Sequence, residues 1–122
     1  NITPPSLNDG SALLDWETLV ARMLDDEDLA RSLLEEFLHE APRQMEELEV
    51  LVEAGDVAEA ERRAHTLKGM SANIAADALA EAARQAETAG RERDLPEMVR
   101  RLPAVKTEFE RVKVHVRSHH AG

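Results

Sequence analysis

From Leu29 to Ala54 the apolar residues recur at intervals of three and four: Leu29, Leu33, Leu34, Phe37, Leu38, Ala41, Met45, Leu48, Leu51 and Val52. That spacing lines one face of a helix and does not suit a strand, where every second side chain shares a face. A stripe this long has to be buried against other helices. The period returns in Val57, Ala60, Ala64, Leu67, Ser71 and Ile74, and again in Ala78, Leu79, Ala82, Ala86 and Ala89. It returns once more in Leu95, Met98, Val99, Leu102, Val105, Phe109, Val112 and Val116. A shorter set, Trp16, Leu19, Val20 and Met23, precedes them all. The only aromatics are Trp16, Phe37 and Phe109, so the core is built from Leu, Val, Ile, Met and Ala, which favours close helix packing over a sheet.

Punctuation between the stripes fits helix termini. Asp15 suits the cap of the first short helix, and Asp25 and Asp26 suit the start of the next, where carboxylates oppose the positive end of the helix dipole. Gly55 supplies a stop, Asp56 begins the third helix, and Asp77 is expected to cap a fourth that ends at Gly90. Asp94 caps the fifth, with Pro96 in its first turn. Pro42 is expected to kink the long helix rather than split it, because the stripe continues past it, and Pro103 to bend the last. The predicted helices are thus Asp15–Met23, Glu27–Ala54, Val57–Ala75, Asp77–Gly90 and Leu95–Val116. Short connections make neighbours antiparallel. The expected fold is all-α, a mainly antiparallel four-helix bundle with the short N-terminal helix across one end.

At 122 residues the chain is one domain, expected over residues 11–118, with a Pro-, Ser- and Gly-rich lead-in at 1–10 and a tail at 119–122. It opens on Asn1 rather than Met, which suggests excision from a longer protein. A net charge of -10 argues against nucleic-acid binding, which needs a basic patch, and against an acidic membrane surface. Absence of cysteine removes disulfides, thiolate chemistry and Cys-based zinc sites. No apolar run approaches the roughly 18 residues of a membrane span. A cytoplasmic location is expected.

Chemistry concentrates at Ala64-His65-Thr66-Leu67-Lys68-Gly69, inside the third helix. With 100° per residue, His65 points roughly 130° away from the inward direction set by Ala60, Ala64 and Leu67. Its ring should face solvent. Ala58, Gly69 and Ala72 fall around it on the same side, with Glu61 and Lys68 at the margins, so a bulky partner can come close. Glycine inside a helix costs about 1 kcal/mol relative to alanine. Close approach of another protein's backbone is one reason to keep Gly69. Lys followed by Gly is also how ordinary helices end, but here the inward stripe runs on through Ser71 and Ile74. Neutral imidazole is a nucleophile able to take a phosphoryl group from an acyl phosphate. Lys68, one turn on, can hold phosphoryl oxygens as charge passes across.

These residues resemble the histidine-containing phosphotransfer (HPt) family of bacterial two-component phosphorelays, whose motif is His-x-x-Lys-Gly within a helix of a four-helix bundle. Here it reads His65-Thr66-Leu67-Lys68-Gly69, and the similarity extends over about Leu14 to Val116. The resemblance implies that His65 accepts the phosphoryl group, that Lys68 is its electrostatic helper, and that Gly69 gives clearance to the partner's loop. Ala58, Glu61, Arg62, Gly69, Ala72 and Gln85 make up the expected partner-binding set, Gln85 because the family often has a polar residue near the phosphohistidine on the following helix. Where the family often has glycine after the motif, this chain has Ala75. The implied partners are receiver domains bearing a phosphorylatable Asp, with Mg²⁺ supplied by the receiver and no cofactor or ATP site in the chain itself. A monomer is implied, as is a place within a hybrid sensor histidine kinase.

Two neighbouring types are to be compared. The dimerising histidine domain of sensor kinases usually has an acidic residue after the histidine, where this chain has Thr66. The phosphotransfer domain of chemotaxis kinases shares the His-x-x-Lys-Gly motif and stays an open alternative, although there it belongs to the N-terminal end of a large kinase. A different class of reading, a helical adaptor that binds through the His65 face without covalent chemistry, also fits the small-residue surface. Elsewhere, His39 reads as a surface residue and Glu46, Glu47 and Glu49 as a solvated face. His115, His119 and His120 read as a frayed terminus rather than a metal site.

Overall fold

The computed structural model describes residues 13–119, which form five helices: α1 (Trp16–Arg22), α2 (Glu27–Glu53), α3 (Val57–Asn73), α4 (Asp77–Arg91) and α5 (Leu95–His119). No strand occurs among the described residues. The expected lead-in, residues 1–10, and residues 120–122 of the expected tail lie outside them. Helices α2 to α5 pack in sequence order and α2 closes the ring against α5, which makes the expected antiparallel four-helix bundle. Neither Pro42 nor Pro103 divides its helix. One missing backbone donor is outweighed where apolar stripes on both sides of the proline are already buried.

Four helices begin with an aspartate that accepts from the backbone three residues on: Asp15 from Thr18, Asp26 from Leu29, Asp56 from Glu59 and Asp94 from Glu97, at 3.0–3.2 Å. Helix α4 departs from this pattern. Its N-cap is Ala76, without a side-chain bond, and Asp77 is the first helical residue rather than the expected cap. The buried turn Ile74-Ala75-Ala76 leaves no space for a polar cap there.

Helices α1 to α4 all end in the same doubly bonded turn. Asp25, Asp56, Ala76 and Asp94 donate to the carbonyl five residues back, while Leu24, Gly55, Ala75 and Arg93 donate to the one three back. The latter four are left-handed, at φ of 55°, 78°, 61° and 58°. Only one is glycine, so the others carry the Cβ penalty of about 1–2 kcal/mol. At Ala75 the methyl group is buried, which offsets part of that cost. The motif helix accordingly stops at Asn73, two residues before the expected Ala75.

Gly90, read from the sequence as a helix stop, lies inside α4 and is buried. A Cβ on it would sit 2.9 Å from Met98 Cε, 3.0 Å from Glu61 Cβ and 3.2 Å from Glu61 Cα. Its role is to let α4 and α3 approach. The seam continues through Ala60, Ala64, Ala83 and Ala86, all fully buried.

The core falls into two parts. One joins Leu19, Leu34, Phe37, Leu67, Leu79 and Phe109, with the two phenyl rings 6.0 Å apart, and the other joins Leu48, Val52, Ala64, Ala86 and Met98. Ala64 and Leu67 belong to different parts, so His65 stands over their junction, midway along the bundle. Leu29 and Val99, expected in the apolar stripes, are instead about half exposed, at 45% and 51%. Ala30 and Met98 take the buried positions beside them. Helix α1 ties down the end of α3: Asp15 N–H donates to Ala75 O at 2.9 Å, and the Arg22 guanidinium donates to Ala72 O at 2.8 Å.

Gly90→Ala tests the seam. Steric overlap with Glu61 and Met98 is expected to lower stability by about 1–3 kcal/mol, more than the helix preference of alanine returns. Urea unfolding reads the difference; an unchanged or raised midpoint would mean that α3 and α4 separate without cost.

Candidate functional site

Helix α3 turns Ala64 and Leu67 fully inward and leaves the His65 side chain 65% exposed, as its 100° rotation per residue requires. The imidazole does not stand alone. Its Nδ1 lies 2.7 Å from Oε2 of Glu87, a residue of α4 whose side chain is only 5% exposed. Lys68 Nζ approaches the other oxygen, Oε1, at 2.8 Å, off the hydrogen-bonding direction. Arg91, one turn after Glu87, brings its guanidinium to 3.4 Å from Oε2. One buried carboxylate therefore gathers three basic side chains, the exposed histidine and two cations beside it.

Burial acts to raise the pKa of Glu87, but contacts with Lys68 and then His65 together outweigh it and hold the carboxyl below its ordinary value. Glu87 is ionised at neutral pH. An ionised carboxylate only accepts, so Nδ1 must be the donor, and a neutral ring then carries its proton on Nδ1 and its lone pair on Nε2. Among the described residues Nε2 has no hydrogen-bond partner. The site is thus an exposed nucleophilic nitrogen whose tautomer is fixed from below.

Around it the surface is low. Ala58, Gly69 and Ala72 are exposed, as the helical arithmetic expects, and a Cβ added to Gly69 would meet nothing within 4 Å. Helix α3 continues past Gly69 to Asn73, so this glycine is not a terminator. Glu61 is half-buried and accepts from Arg93 at 3.2 Å, while exposed Arg62 pairs with Glu59 at 2.7 Å. Gln85 is not at the site. It faces α5, accepting from Arg101 at 2.9 Å and donating to Glu81 at 3.1 Å. Two residues of helix rotate a side chain by about 200°, so Glu87 rather than Gln85 reaches α3.

Sequence reasoning missed Glu87 and Arg91. The signal for Glu87 was present: Ala83 four residues before it and Gly90 three after it are both inward, so a residue between them on the same stripe is drawn inward too. His39 is exposed and His115 half-buried; His119 belongs to α5 and His120 lies outside the described residues. No group of three or more His, Asp or Glu among the described residues is arranged to hold a metal ion. None of their helices is long and apolar enough to cross a membrane.

Glu87→Gln keeps the shape and removes the charge. Because its folded pKa is depressed, Glu87 contributes stability that is complete above the ordinary carboxylate pKa and is lost as pH falls through the folded value. The stability gap between wild type and variant, on the order of 1–2 kcal/mol near neutrality, is expected to close below that range in urea unfolding at a series of pH values. A gap that persists unchanged in acid would mean that packing, and not charge, was removed.

No curated protein matches the chain. A solved HPT domain from a sensor hybrid histidine kinase of Shewanella is similar at a TM-score of 0.69 and 21% identity, covering 91% of this chain and 99% of that one. At that identity the likeness speaks for the bundle fold. The family model described as the Hpt domain matches residues 32–115, a span that takes in α3 with its His-x-x-Lys-Gly motif and the α4 helix beneath it. An outward imidazole in the middle of an antiparallel four-helix bundle, inside a match over more than half of the chain, leads to one conclusion: the chain belongs to the Hpt domain family and has a histidine phosphotransfer role in phosphorelays.

Proposed function

We propose that His65 is the phosphoryl carrier and that the group rides on Nε2. The observation that supports this most is the Nδ1 contact to buried Glu87, which leaves Nε2 unprotonated and outermost. In the transfer, the Nε2 lone pair attacks the phosphorus of a receiver's aspartyl phosphate. The bond from phosphorus to the carboxylate oxygen breaks, and the aspartate leaves with the electron pair. Nδ1 keeps its proton, so the ring becomes a cation beside Glu87 as the phosphoryl dianion forms. Such a transition state asks for positioning and charge neutralisation more than covalent help. Lys68 supplies charge on this side, and the receiver brings Mg²⁺.

The partner is a receiver domain, whose acidic phosphorylation pocket approaches over Ala58, Gly69 and Ala72. We further propose a monomeric module, cytoplasmic, within a hybrid sensor kinase of the kind from which the Shewanella domain comes. The chain contributes no nucleotide site to the relay.

Incubation with a phosphorylated receiver and Mg²⁺ is expected to give acid-labile, base-stable label on the native chain and none on His65→Gln. Unlabelled native protein that still binds receivers would favour a helical adaptor acting without covalent chemistry. Gly69→Ala separates the two demands on the motif helix. It is expected to raise stability by about 1 kcal/mol, because alanine is the better helix former and has open space there. It is also expected to slow transfer on the order of tenfold or more by holding the receiver off its in-line position. Equal transfer rates would remove clearance as the reason for the glycine.

A further inference from the structure

Three basic groups share the Glu87 carboxylate, and they are not held alike. His65 Nδ1 and Arg91 both address Oε2, at 2.7 and 3.4 Å, whereas Lys68 addresses Oε1 at 2.8 Å. Arg91 is thus placed beside the imidazole through an oxygen different from the one that holds Lys68. Its side chain is 60% exposed, and its other carboxylate contact, with Glu61, is long at 4.0 Å. Glu61 is better satisfied by Arg93, at 3.2 Å. By contrast, Arg62 and Arg84 are committed to short pairs within their own helices, at 2.7 and 2.5 Å.

We infer that Arg91 is a second phosphoryl-binding side chain of the transfer site, a catalytic residue that the His-x-x-Lys-Gly motif does not include. This rests on His65 being the carrier. Before transfer, Glu87 is balanced by Lys68 and Arg91. Afterwards the ring itself is a cation, with Nδ1–H still on Oε2, and Glu87 no longer needs the guanidinium contact on that oxygen. A dianion has meanwhile appeared at Nε2, on the exposed side. The weakly held guanidinium turns to it, because its planar fork matches two phosphoryl oxygens at once. The exchange leaves each anion paired without burying any new charge.

The test compares wild type, Arg91→Gln, Arg91→Lys and Arg84→Gln in single-turnover transfer from a phosphorylated receiver with Mg²⁺. In parallel, the arginine Nε–Hε resonances of ¹⁵N-labelled protein are followed on phosphorylation, and the Arg91 signal is assigned by its loss in the substituted proteins. Arg91→Gln is expected to slow transfer roughly threefold to tenfold, Arg91→Lys to recover part of it, Arg84→Gln to match wild type, and the Arg91 Nε–Hε signal to move when the phosphoryl group arrives. Wild-type rates in Arg91→Gln with an unmoved signal overturn the inference while His65 stays labelled. So does a loss of transfer that follows a fall in the unfolding midpoint, with the signal again unmoved. Absence of label on wild type would instead remove the carrier reading on which the inference rests.

Discussion

A carboxylate can lie 2.7 Å from an imidazole on the neighbouring helix, while itself nearly buried, only if the two backbones run close together. In this bundle the closeness comes from the seam between α3 and α4, where Ala60, Ala64, Ala83, Ala86 and Gly90 present almost no side chain. Leucines at those places would push the axes apart toward the upper end of the usual 8–10 Å spacing. Glu87 would then emerge on the surface as an ordinary solvated residue, and His65 would rotate freely with either nitrogen protonated. The seam is thus the condition for the site, and the larger side chains of α2 and α5 fill the space it leaves elsewhere.

Charge follows from that geometry. Most ion pairs here join residues three or four apart on one helix, and several of these, such as Arg31 with Glu27 and Arg84 with Glu81, are exposed on both sides. Each contributes little, since both ions are solvated in any case. Glu87 differs because it is nearly buried, and its desolvation must be offset by the cations beside it, Lys68 and Arg91. In a chain of net charge -10, this places a local excess of positive charge at the face that carries His65. The residues that stabilise the buried carboxylate also soften the approach of another anion.

The architecture was readable because its determinants are local. Stripes such as Leu34, Phe37, Leu38 and Ala41, and caps such as Asp26 and Asp56, act within a few residues along the chain. His65 was readable as well, since its outward direction follows from Ala64 and Leu67 on either side. What escaped depends on contacts across the bundle. Gly90 resembles a helix stop in one dimension and is a packing residue in three, while the true left-handed positions Leu24, Ala75 and Arg93 carry no glycine signal. Glu87 escaped, although Ala83 and Gly90 set its inward direction, because two of its partners, His65 and Lys68, lie across the seam on α3. Gln85 was favoured because it is polar and near the right place in α4, yet two residues of rotation turn it toward α5.

Gly69 and Gly90 occupy helix interiors at the same local cost and for opposite reasons. At Gly90 a methyl group would strike Glu61 and Met98, so the clearance is used within the fold. At Gly69 a methyl group would meet nothing, so no contact inside the chain accounts for the lost helix propensity. A cost of about 1 kcal/mol is a noticeable share of the 5–15 kcal/mol that holds a domain together. A glycine that the fold does not need, one turn from an exposed nucleophile with a fixed tautomer, marks the surface where something outside the chain has to come as close as α4 comes from within.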